Sequence, residues 1–316
     1  MKIIEQSHKI LSYEDPLKLI EAAGRTCYKS EDKTTEDSAA RFVKMIVKSG
    51  HLSVLEHASI CFMVGSDALW FFRESVHSKY LNITHDDQPL VSGNLRTWLE
   101  FFKTECGRER LWVPIDVCQI AQYLHKEYPM IFPEYYKQVP GQASLMTESE
   151  MTNQKKLIHA TRTVRVITDR GIQQEITRHR PWAYSIESTR YVKYDDEIKF
   201  IKPVWGSDDL LIEETQLSRA LDPLTLAERV WLNKMVSDED DYRFLLKNGW
   251  KPEQARSILP LSLAGEIVMT ATLGEWAHML KQRTGKAAHP QIVALMKPLL
   301  KELQSNISVV FDDIES

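Results

Sequence analysis

The sequence has 316 residues, of which 43% are hydrophobic and 27% are charged. These proportions are typical of a folded globular chain, and they exclude a disordered chain and a fibre. No segment approaches the roughly 18 uninterrupted apolar residues that a membrane span needs, and an acidic residue interrupts the position of an export signal. The sequence therefore predicts a cytoplasmic protein without a membrane segment.

The net charge is −4, from 40 Lys and Arg against 44 Asp and Glu. This charge gives no general attraction for nucleic acid, so nucleic acid is not expected as a partner. An anionic ligand must then be held by a local cluster of cations. The cysteines, Cys27, Cys61, Cys106 and Cys118, form no C-x-x-C pair, which predicts reduced thiols and no structural zinc site.

Two helices are predicted before residue 50. Asp15 and Pro16 open the first, because proline at the first helical position loses no needed N–H group. Residues 35–37 open the second, and Gly50 is the expected stop at its C-terminal end.

Short strands are predicted at 59–64, 162–167 and 197–201, where strand-forming residues run together or alternate with polar ones. The segment at about 66–160 has a mixed, largely helical pattern with proline-containing loops, and we interpret it as an insertion. Further helices are predicted at 224–248, 252–258, 266–282 and 290–305. The predicted fold class is α+β, with a single domain over residues 1–316.

One internal similarity links the segments 94–98, Asn-Leu-Arg-Thr-Trp, and 272–276, Thr-Leu-Gly-Glu-Trp. Each lies in an amphipathic helical context. Two helices that merely share a tryptophan-bearing core face would give the same similarity, so the sequence favours that interpretation over an internal repeat.

The densest group of polar and cationic side chains lies between Arg178 and Arg190 and includes His179, Arg180 and Ser188. Arginine keeps its charge and forms forked hydrogen bonds with phosphate, so Arg178 and Arg180 suit one anion. Ser188 and Arg190 suit a second anion. The alternative is a solvated basic end of a helix.

Smaller candidate clusters surround Arg256, Arg283 and the segment 51–57, which holds His51, Glu56 and His57. The two arginines either complement helix C-termini or bind a ligand. The histidine spacing is not that of a zinc protease motif, so no metal site is predicted. For segment 51–57, a structural His–Glu hydrogen bond and a ligand contact remain alternatives.

Arg178-His179-Arg180, followed by seven residues and Ser188, resembles the signature of the flavin-dependent thymidylate synthases, the ThyX family. Other segments resemble family blocks in family order: 36–39, 49–57, 169–171, 187–191, 200–203, 259–260, 266–270 and 283–291. The resemblance spans residues 10–65 and 160–305. Within the insertion, residues 91–98 are similar to a block of longer members.

The resemblance implies a central, mainly antiparallel sheet flanked by helices, in a homotetramer whose active sites lie at subunit junctions. It implies FAD as a non-covalent cofactor that is reduced by NADPH. The implied reaction transfers a one-carbon unit from methylenetetrahydrofolate to C5 of dUMP and gives dTMP.

The resemblance also implies the site residues, position by position. The dUMP contacts would be Glu175, Arg178, Ile186, Glu187, Ser188, Thr189, Arg190, Arg256 and Arg283, with residues 188–190 supplied by a neighbouring subunit. The FAD contacts would be His51, Ser53, Glu56, Arg178, His179, Arg180, Thr272, Gly274 and His278. Arg283 is the catalytic candidate, because an arginine at the N3–C4 edge of uracil stabilises the charge that makes C5 nucleophilic.

Four positions depart from the family pattern: Ile186 replaces the usual Gln or Glu, Leu261 a frequent Asn, Thr272 the usual Asn, and Gly274 the usual Arg. Two explanations compete for Thr272 and Gly274. Either FAD binding is simply weaker, or Asn94 and Arg96 of the insertion supply the missing contacts.

Two other functions remain open. One is a sibling enzyme that alkylates C5 of another pyrimidine nucleotide, such as UMP, or forms a hydroxymethylated product. The other is a catalytically weakened nucleotide-binding subunit.

Overall fold

The computed structural model describes residues 1–106, 112–135, 138–194, 197–212 and 223–315. The strands are β1 (Lys2–Ile4), β2 (Ser7–Leu11), β3 (Ser59–Met63), β4 (Asn82–Ile83), β5 (Leu90–Asn94), β6 (Ser144–Leu145), β7 (Thr161–Asp169), β8 (Ala183–Ile186), β9 (Lys199–Ile201) and β10 (Ala264–Thr272). The helices are α1 (Pro16–Thr26), α2 (Ser38–Ser49), α3 (Ser66–Arg73), α4 (Leu95–Cys106), α5 (Ile115–Glu127), α6 (Asn153–His159), α7 (Arg170–Ile176), α8 (Leu226–Lys247), α9 (Pro252–Ala255), α10 (Leu273–Arg283), α11 (Pro290–Asn306) and α12 (Ser308–Phe311).

Two four-stranded antiparallel sheets organise the fold, with strand orders β2-β7-β10-β8 and β4-β5-β3-β6. β1 and β9 form a separate parallel pair. The α+β class is confirmed, and the antiparallel strands are divided between two sheets. The prediction of a single domain stays a prediction.

The two sheets have separate hydrophobic cores. One core contains the buried Phe62 and Trp98 and draws its buried residues from positions 17–132. The other contains Trp276 and draws its buried residues from positions 160–314. Both tryptophans are therefore core residues, as the sequence predicted.

Local signals placed the first elements correctly. The Asp15 side chain accepts a hydrogen bond from the Leu17 N–H group at 2.8 Å and caps α1. Gly50 ends α2 with a φ of 76°, a left-handed conformation that glycine adopts without a steric cost. The strands predicted near residues 59, 162 and 197 are confirmed as β3, β7 and β9.

The helix predicted at 266–282 is wrong in its first half. Residues 264–272 form the strand β10, and the helix α10 begins only at Leu273. The strand lies between β7 and β8, and most of its side chains are buried on both faces. The apolar run Ile267–Met269 at its centre has no alternation that would distinguish a strand from a helix.

The insertion at 66–160 contains helices, as predicted, and it also contributes β4, β5 and β6. Together with β3, these strands form the second sheet. Within the described part of the chain, no helix is both long enough and apolar enough to cross a membrane.

Candidate active site

A cavity of about 570 Å³ is lined by residues from both four-stranded sheets. Of the predicted site residues, Glu56, His179, Arg180 and Thr272 lie in its wall. The wall also contains charged and polar residues of the insertion and aromatic residues, namely Lys79, Tyr80, Asn94, Arg96, Glu100, Trp182 and Tyr184. The cavity wall therefore combines aromatic surfaces with three cations, Lys79, Arg96 and Arg180, and three carboxylates, Glu56, Glu100 and Glu275.

Arg283, at the end of α10, lies beside Glu175 of α7 and His179, which follows α7 in the chain. Its Nε donates to Nε2 of His179 at 2.9 Å, and its Nη1 donates to Oε2 of Glu175, also at 2.9 Å. Burial, followed by the charges of Arg283 and His278, lowers the pKa of His179 to about 4. His179 is therefore a neutral acceptor at neutral pH.

Glu187, directly after β8, is buried among donors. Its Oε1 accepts a hydrogen bond from the Tyr194 hydroxyl at 2.7 Å, and its Oε2 accepts one from the Glu266 N–H group at 3.1 Å. The Lys29 ammonium lies 3.3 Å from Oε2. These contacts fix the chain directly before Ser188, Thr189 and Arg190.

Thr189 holds two arginines. Its hydroxyl oxygen accepts hydrogen bonds from Nη1 of Arg256 at 3.1 Å and from Nη2 of Arg170 at 3.4 Å. The neighbouring Arg190 is exposed, and its backbone N–H group donates to the Ser188 hydroxyl at 3.3 Å. Ser188 and Arg190, predicted to suit a second anion, thus lie next to Thr189 and its partner Arg256, which the resemblance implies as dUMP contacts.

Strand β8 separates two parts of the predicted nucleotide site. Arg178 and His179 precede the strand, whereas Ser188 and Thr189 follow it. A strand of four residues spans about 13 Å, which is longer than a hydrogen bond by several-fold. The two ends of the signature therefore form two groups in one chain.

Several predicted residues lie outside the cavity. His51, Ser53, Arg178 and His278 are exposed, and Nε2 of His278 lies 3.0 Å from the Gln282 amide nitrogen. Nδ1 of His51 lies 3.4 Å from the Tyr28 hydroxyl. Ile186 is half-buried in β8, where it pairs with Ile267 of β10.

Gly274 packs against the backbone of Leu157 in α6. A Cβ atom at this position would lie 2.8 Å from the carbonyl oxygen of Leu157, which is too close for a real contact. The position therefore has no room for a side chain without a backbone shift.

The structural His–Glu hydrogen bond, one of the two alternatives for segment 51–57, is not formed. His57 is fully buried, with Nδ1 at 2.8 Å from the Thr270 hydroxyl and Nε2 at 2.9 Å from the Ser185 hydroxyl. Burial lowers its pKa to about 3. Glu56 instead accepts a hydrogen bond from Nη1 of Arg96 at 2.6 Å.

Sequence reasoning missed three cationic residues of these clusters: Lys29, Lys79 and Arg170. Arg170 had a usable signal, because it lies in the Asp-Arg-Gly segment at 169–171 that resembles a family block. Lys79 lies in the insertion and had no such signal.

The profile of the family described as "Thymidylate synthase complementing protein" matches residues 9–85 and 146–307. Flavin-dependent thymidylate synthase from Corynebacterium aurimucosum is 28% identical over 175 residues, which cover 55% of this chain and 70% of that protein. The same enzyme from Halobacterium salinarum is 29% identical over 142 residues, which cover 42% and 57%. The alignments thus span 57% to 70% of the length of these two curated relatives.

Two solved structures are also similar. ThyX from Helicobacter pylori with FAD and dUMP is 16% identical, with a TM-score of 0.41 and coverage of 98% of both chains. The UMP/dUMP methylase PolB from Streptomyces cacaoi, bound with 5-Br dUMP, is 14% identical, with a TM-score of 0.41 and coverage of 99% and 96%.

The two matched ranges of the family profile contain the signature from Arg178 to Ser188 and the elements that hold it, β7, α7, β8 and β10. They cover more than half of the chain. The chain therefore belongs to the ThyX family, the flavin-dependent thymidylate synthases, which are enzymes of the methyltransferase type.

Proposed function

We propose that this protein binds FAD and uses NADPH and methylenetetrahydrofolate to convert dUMP into dTMP in the cytoplasm. One observation carries the proposal beyond family membership. The two ends of the signature lie in different chemical settings, with His179 and Arg180 on the cavity and Thr189 holding Arg256 beyond β8. Each setting suits one of the two anionic ligands.

The cavity residues fit a flavin dinucleotide. Lys79, Arg96 and Arg180 are cations suited to a diphosphate, and Trp182 and Tyr184 provide flat apolar surfaces for a ring system. When bound, FAD would supply the redox chemistry of the reaction. The residues of this chain would bind it, orient it and exclude water from it.

The group beyond β8 fits the phosphate of a nucleotide. Ser188 and Thr189 provide hydroxyls, and Arg190 and Arg256 provide guanidinium groups. Nη1 of Arg256 contacts the Thr189 hydroxyl, and Nε of Arg190 contacts Glu253. A phosphate dianion is best held by several charge-assisted hydrogen bonds of this kind. Thr189 orients Arg256 for such contacts.

Arg283 would act on the pyrimidine ring. Its guanidinium plane is fixed by Glu175 and by the neutral His179, so its direction is set before a substrate arrives. A fixed cation at the N3–C4 edge stabilises negative charge as it develops there. C5 of the ring then becomes the nucleophile that accepts the one-carbon unit.

A homotetramer with shared sites is part of the proposal. Within one chain, β8 separates residues 188–190 from Arg178. In a homotetramer with shared sites, residues 188–190 of one chain and Arg178 of another would meet on one nucleotide, which supports this assembly.

Tritium release from [5-³H]dUMP and [5-³H]UMP, with FAD, NADPH and methylenetetrahydrofolate, tests the proposal. We expect release from dUMP alone. Release from UMP would indicate the sibling enzyme. Nucleotide binding without release from either substrate would indicate the weakened subunit and would contradict the proposed reaction.

A further inference from the structure

The two four-stranded sheets share one connection pattern. In each sheet a strand that ends at a cavity residue, Asn94 of β5 or Thr272 of β10, leads directly into a helix. The first residues of these helices make equivalent backbone bonds. The N–H group of Leu95 donates to the Ala58 carbonyl, and that of Leu273 donates to the Ala160 carbonyl, both at 2.9 Å.

Two buried histidines link the sheets reciprocally. His57 precedes β3 of one sheet and bonds to Thr270, two residues before the end of β10 in the other sheet. His159 precedes β7, and its Nδ1 lies 2.8 Å from the hydroxyl of Ser92, two residues before the end of β5. Reciprocal contacts of this kind are those of two copies related by a twofold axis.

The second nitrogens of the histidines repeat the pattern. Nε2 of His57 lies 2.9 Å from the hydroxyl of Ser185, on the strand beside β10. Nε2 of His159 lies 3.3 Å from the hydroxyl of Thr84, which directly follows the strand beside β5.

The sheets also exchange their outer strands. β2 precedes β3 along the chain but pairs with β7, whereas β6 precedes β7 but pairs with β3. The helix pair α4–α5 follows β5, and the helix pair α10–α11 follows the equivalent strand β10. The chain therefore contains two intertwined units, a first unit at 7–127 and a second unit at 144–306.

The cavity lies between the two units and is lined by equivalent positions of both. Ser59 and Thr161 begin their strands, and Asn94 and Thr272 end theirs, all in the cavity wall. The internal similarity of the two Trp-bearing segments is thus more than a shared core face.

The two units have kept different functional segments. Arg178-His179-Arg180 begins 19 residues after His159, and Val76-His77-Ser78 begins 19 residues after His57, so the first unit lacks both arginines. In contrast, Arg96 of the first unit corresponds to Gly274 of the second, which has no room for a side chain.

We propose that the cavity is a composite diphosphate site, in which Arg96 of the first unit acts together with Arg180 of the second. The equivalent positions of the opposite units, residues 76–78 and 272–274, carry no arginine or lysine. This inference rests on the proposed function for the identity of the ligand, FAD. The family's arginine is absent at Gly274, and the inference assigns its contact with FAD to Arg96 of the insertion.

The geometry of Arg96 supports this role. Its side chain is 37% exposed, and its hydrogen bonds to Glu100 and Glu56 use Nε and Nη1. These two contacts leave Nη2 with donors for a ligand. The two carboxylates hold the guanidinium at the cavity wall, so little side-chain freedom is lost when an anion binds.

FAD titration of the full-length protein, followed by flavin fluorescence, tests the inference. We expect Arg96→Ala to raise the dissociation constant about tenfold or more, because a charged hydrogen bond is lost. Arg243→Ala is the matched control, since Arg243 has a similar exposure of 38% and also pairs with a glutamate one helical turn away. It lies outside the cavity and should leave FAD binding unchanged.

A second comparison removes the effect of an unpaired carboxylate. Arg96→Ala leaves both Glu56 and Glu100 without their partner, so the triple variant Arg96→Ala/Glu56→Gln/Glu100→Gln is compared with Glu56→Gln/Glu100→Gln. We expect the triple variant to bind FAD about tenfold more weakly than the double variant. Equal affinities of the two variants would overturn the inference.

Two further outcomes are informative. A tighter FAD complex in Thr272→Asn would support simple loss at positions 272 and 274 and would contradict the inference. A wild-type protein that binds no FAD would overturn the proposed function, and the inference with it. FAD binding that survives Arg96→Ala at full strength would overturn the inference alone.

Discussion

Nε of Arg283 donates a hydrogen bond to Nε2 of His179 across 2.9 Å. A nitrogen that accepts a hydrogen bond carries no proton, so His179 is the neutral tautomer with its proton on Nδ1. Burial and the adjacent Arg283 favour this state, since both lower the pKa of His179. The arrangement gives Arg283 one neutral acceptor and one carboxylate acceptor in Glu175.

We expect Arg283→Lys to lower kcat about 100-fold, the effect typical of losing one donor to a developing negative charge. Lysine keeps the charge but loses the planar fork that contacts His179 and Glu175 together. Steady-state tritium release with saturating dUMP measures the effect. Lys281→Ala removes an exposed cation of the same helix and is the control. A higher KM with an unchanged kcat would mean that Arg283 only binds the ground state.

The buried histidines predict how stability depends on pH. The pKa values of His57, His159 and His179 are lowered from 6.5 to about 3, 4 and 4, so the folded protein holds them neutral. Below pH 6.5 the unfolded chain binds protons that the folded chain does not. The contribution of these three histidines to the free energy of unfolding is complete above pH 6.5 and is lost as the pH falls towards 4.

We therefore expect the free energy of unfolding to decrease below pH 6.5, by up to about 1.4 kcal/mol per pH unit for each of these histidines. Urea unfolding at a series of pH values measures the slope. His57→Gln removes one titrating group and should reduce the slope between pH 5.5 and 4.5 by about one proton. An unchanged slope in this variant would show that His57 is protonated in the folded protein.

Elements with local signals were predictable from the sequence. The proline at α1 and the glycine after α2 act on their own backbone neighbours, so their effects can be predicted without the fold. β10 was not predictable, because its burial on both faces depends on β7 and β8, which are distant in sequence. Its pattern became clear only when the sheet was assembled.

The candidate site shows the same division. The segment from Arg178 to Ser188 was identified from its residues, whereas its division by β8 required the fold. The pairing of His57 with Thr270 joins positions 213 residues apart, and no spacing in the sequence indicates it. In the sequence, the internal repeat was visible only at residues 94–98 and 272–276. At several other equivalent positions the two units have different residues, which share only their hydrogen bonds and their small or polar side chains.

Thr189 provides a test of the proposal that Ser188, Thr189, Arg190 and Arg256 bind the phosphate of dUMP. Thr189→Val keeps the shape of the side chain but removes the oxygen that accepts from Arg256 and Arg170. We expect dUMP binding to the FAD-loaded protein to weaken about tenfold, the loss expected for a hydrogen bond to a charged group. Isothermal titration calorimetry measures it, and FAD affinity should not change. Thr104→Val, whose hydroxyl contacts His77 in the first unit, is the control.

Gly274 tests whether the missing side chain of the second unit can be restored. Alanine in a helix usually stabilises relative to glycine by about 0.5–1 kcal/mol. At Gly274 the added Cβ would lie 2.8 Å from the Leu157 carbonyl oxygen, so the backbone must shift and we expect a net loss of about 1–3 kcal/mol. Urea unfolding measures this, with Gly285→Ala as the control, because its Cβ would meet ordinary contacts at 3.6 Å or more. If Gly274→Ala instead stabilised the protein, the wall at Leu157 would be able to move. Thr272→Asn/Gly274→Arg would then be a realistic route to tighter FAD binding, and the assignment of the arginine contact to Arg96 would lose its steric support.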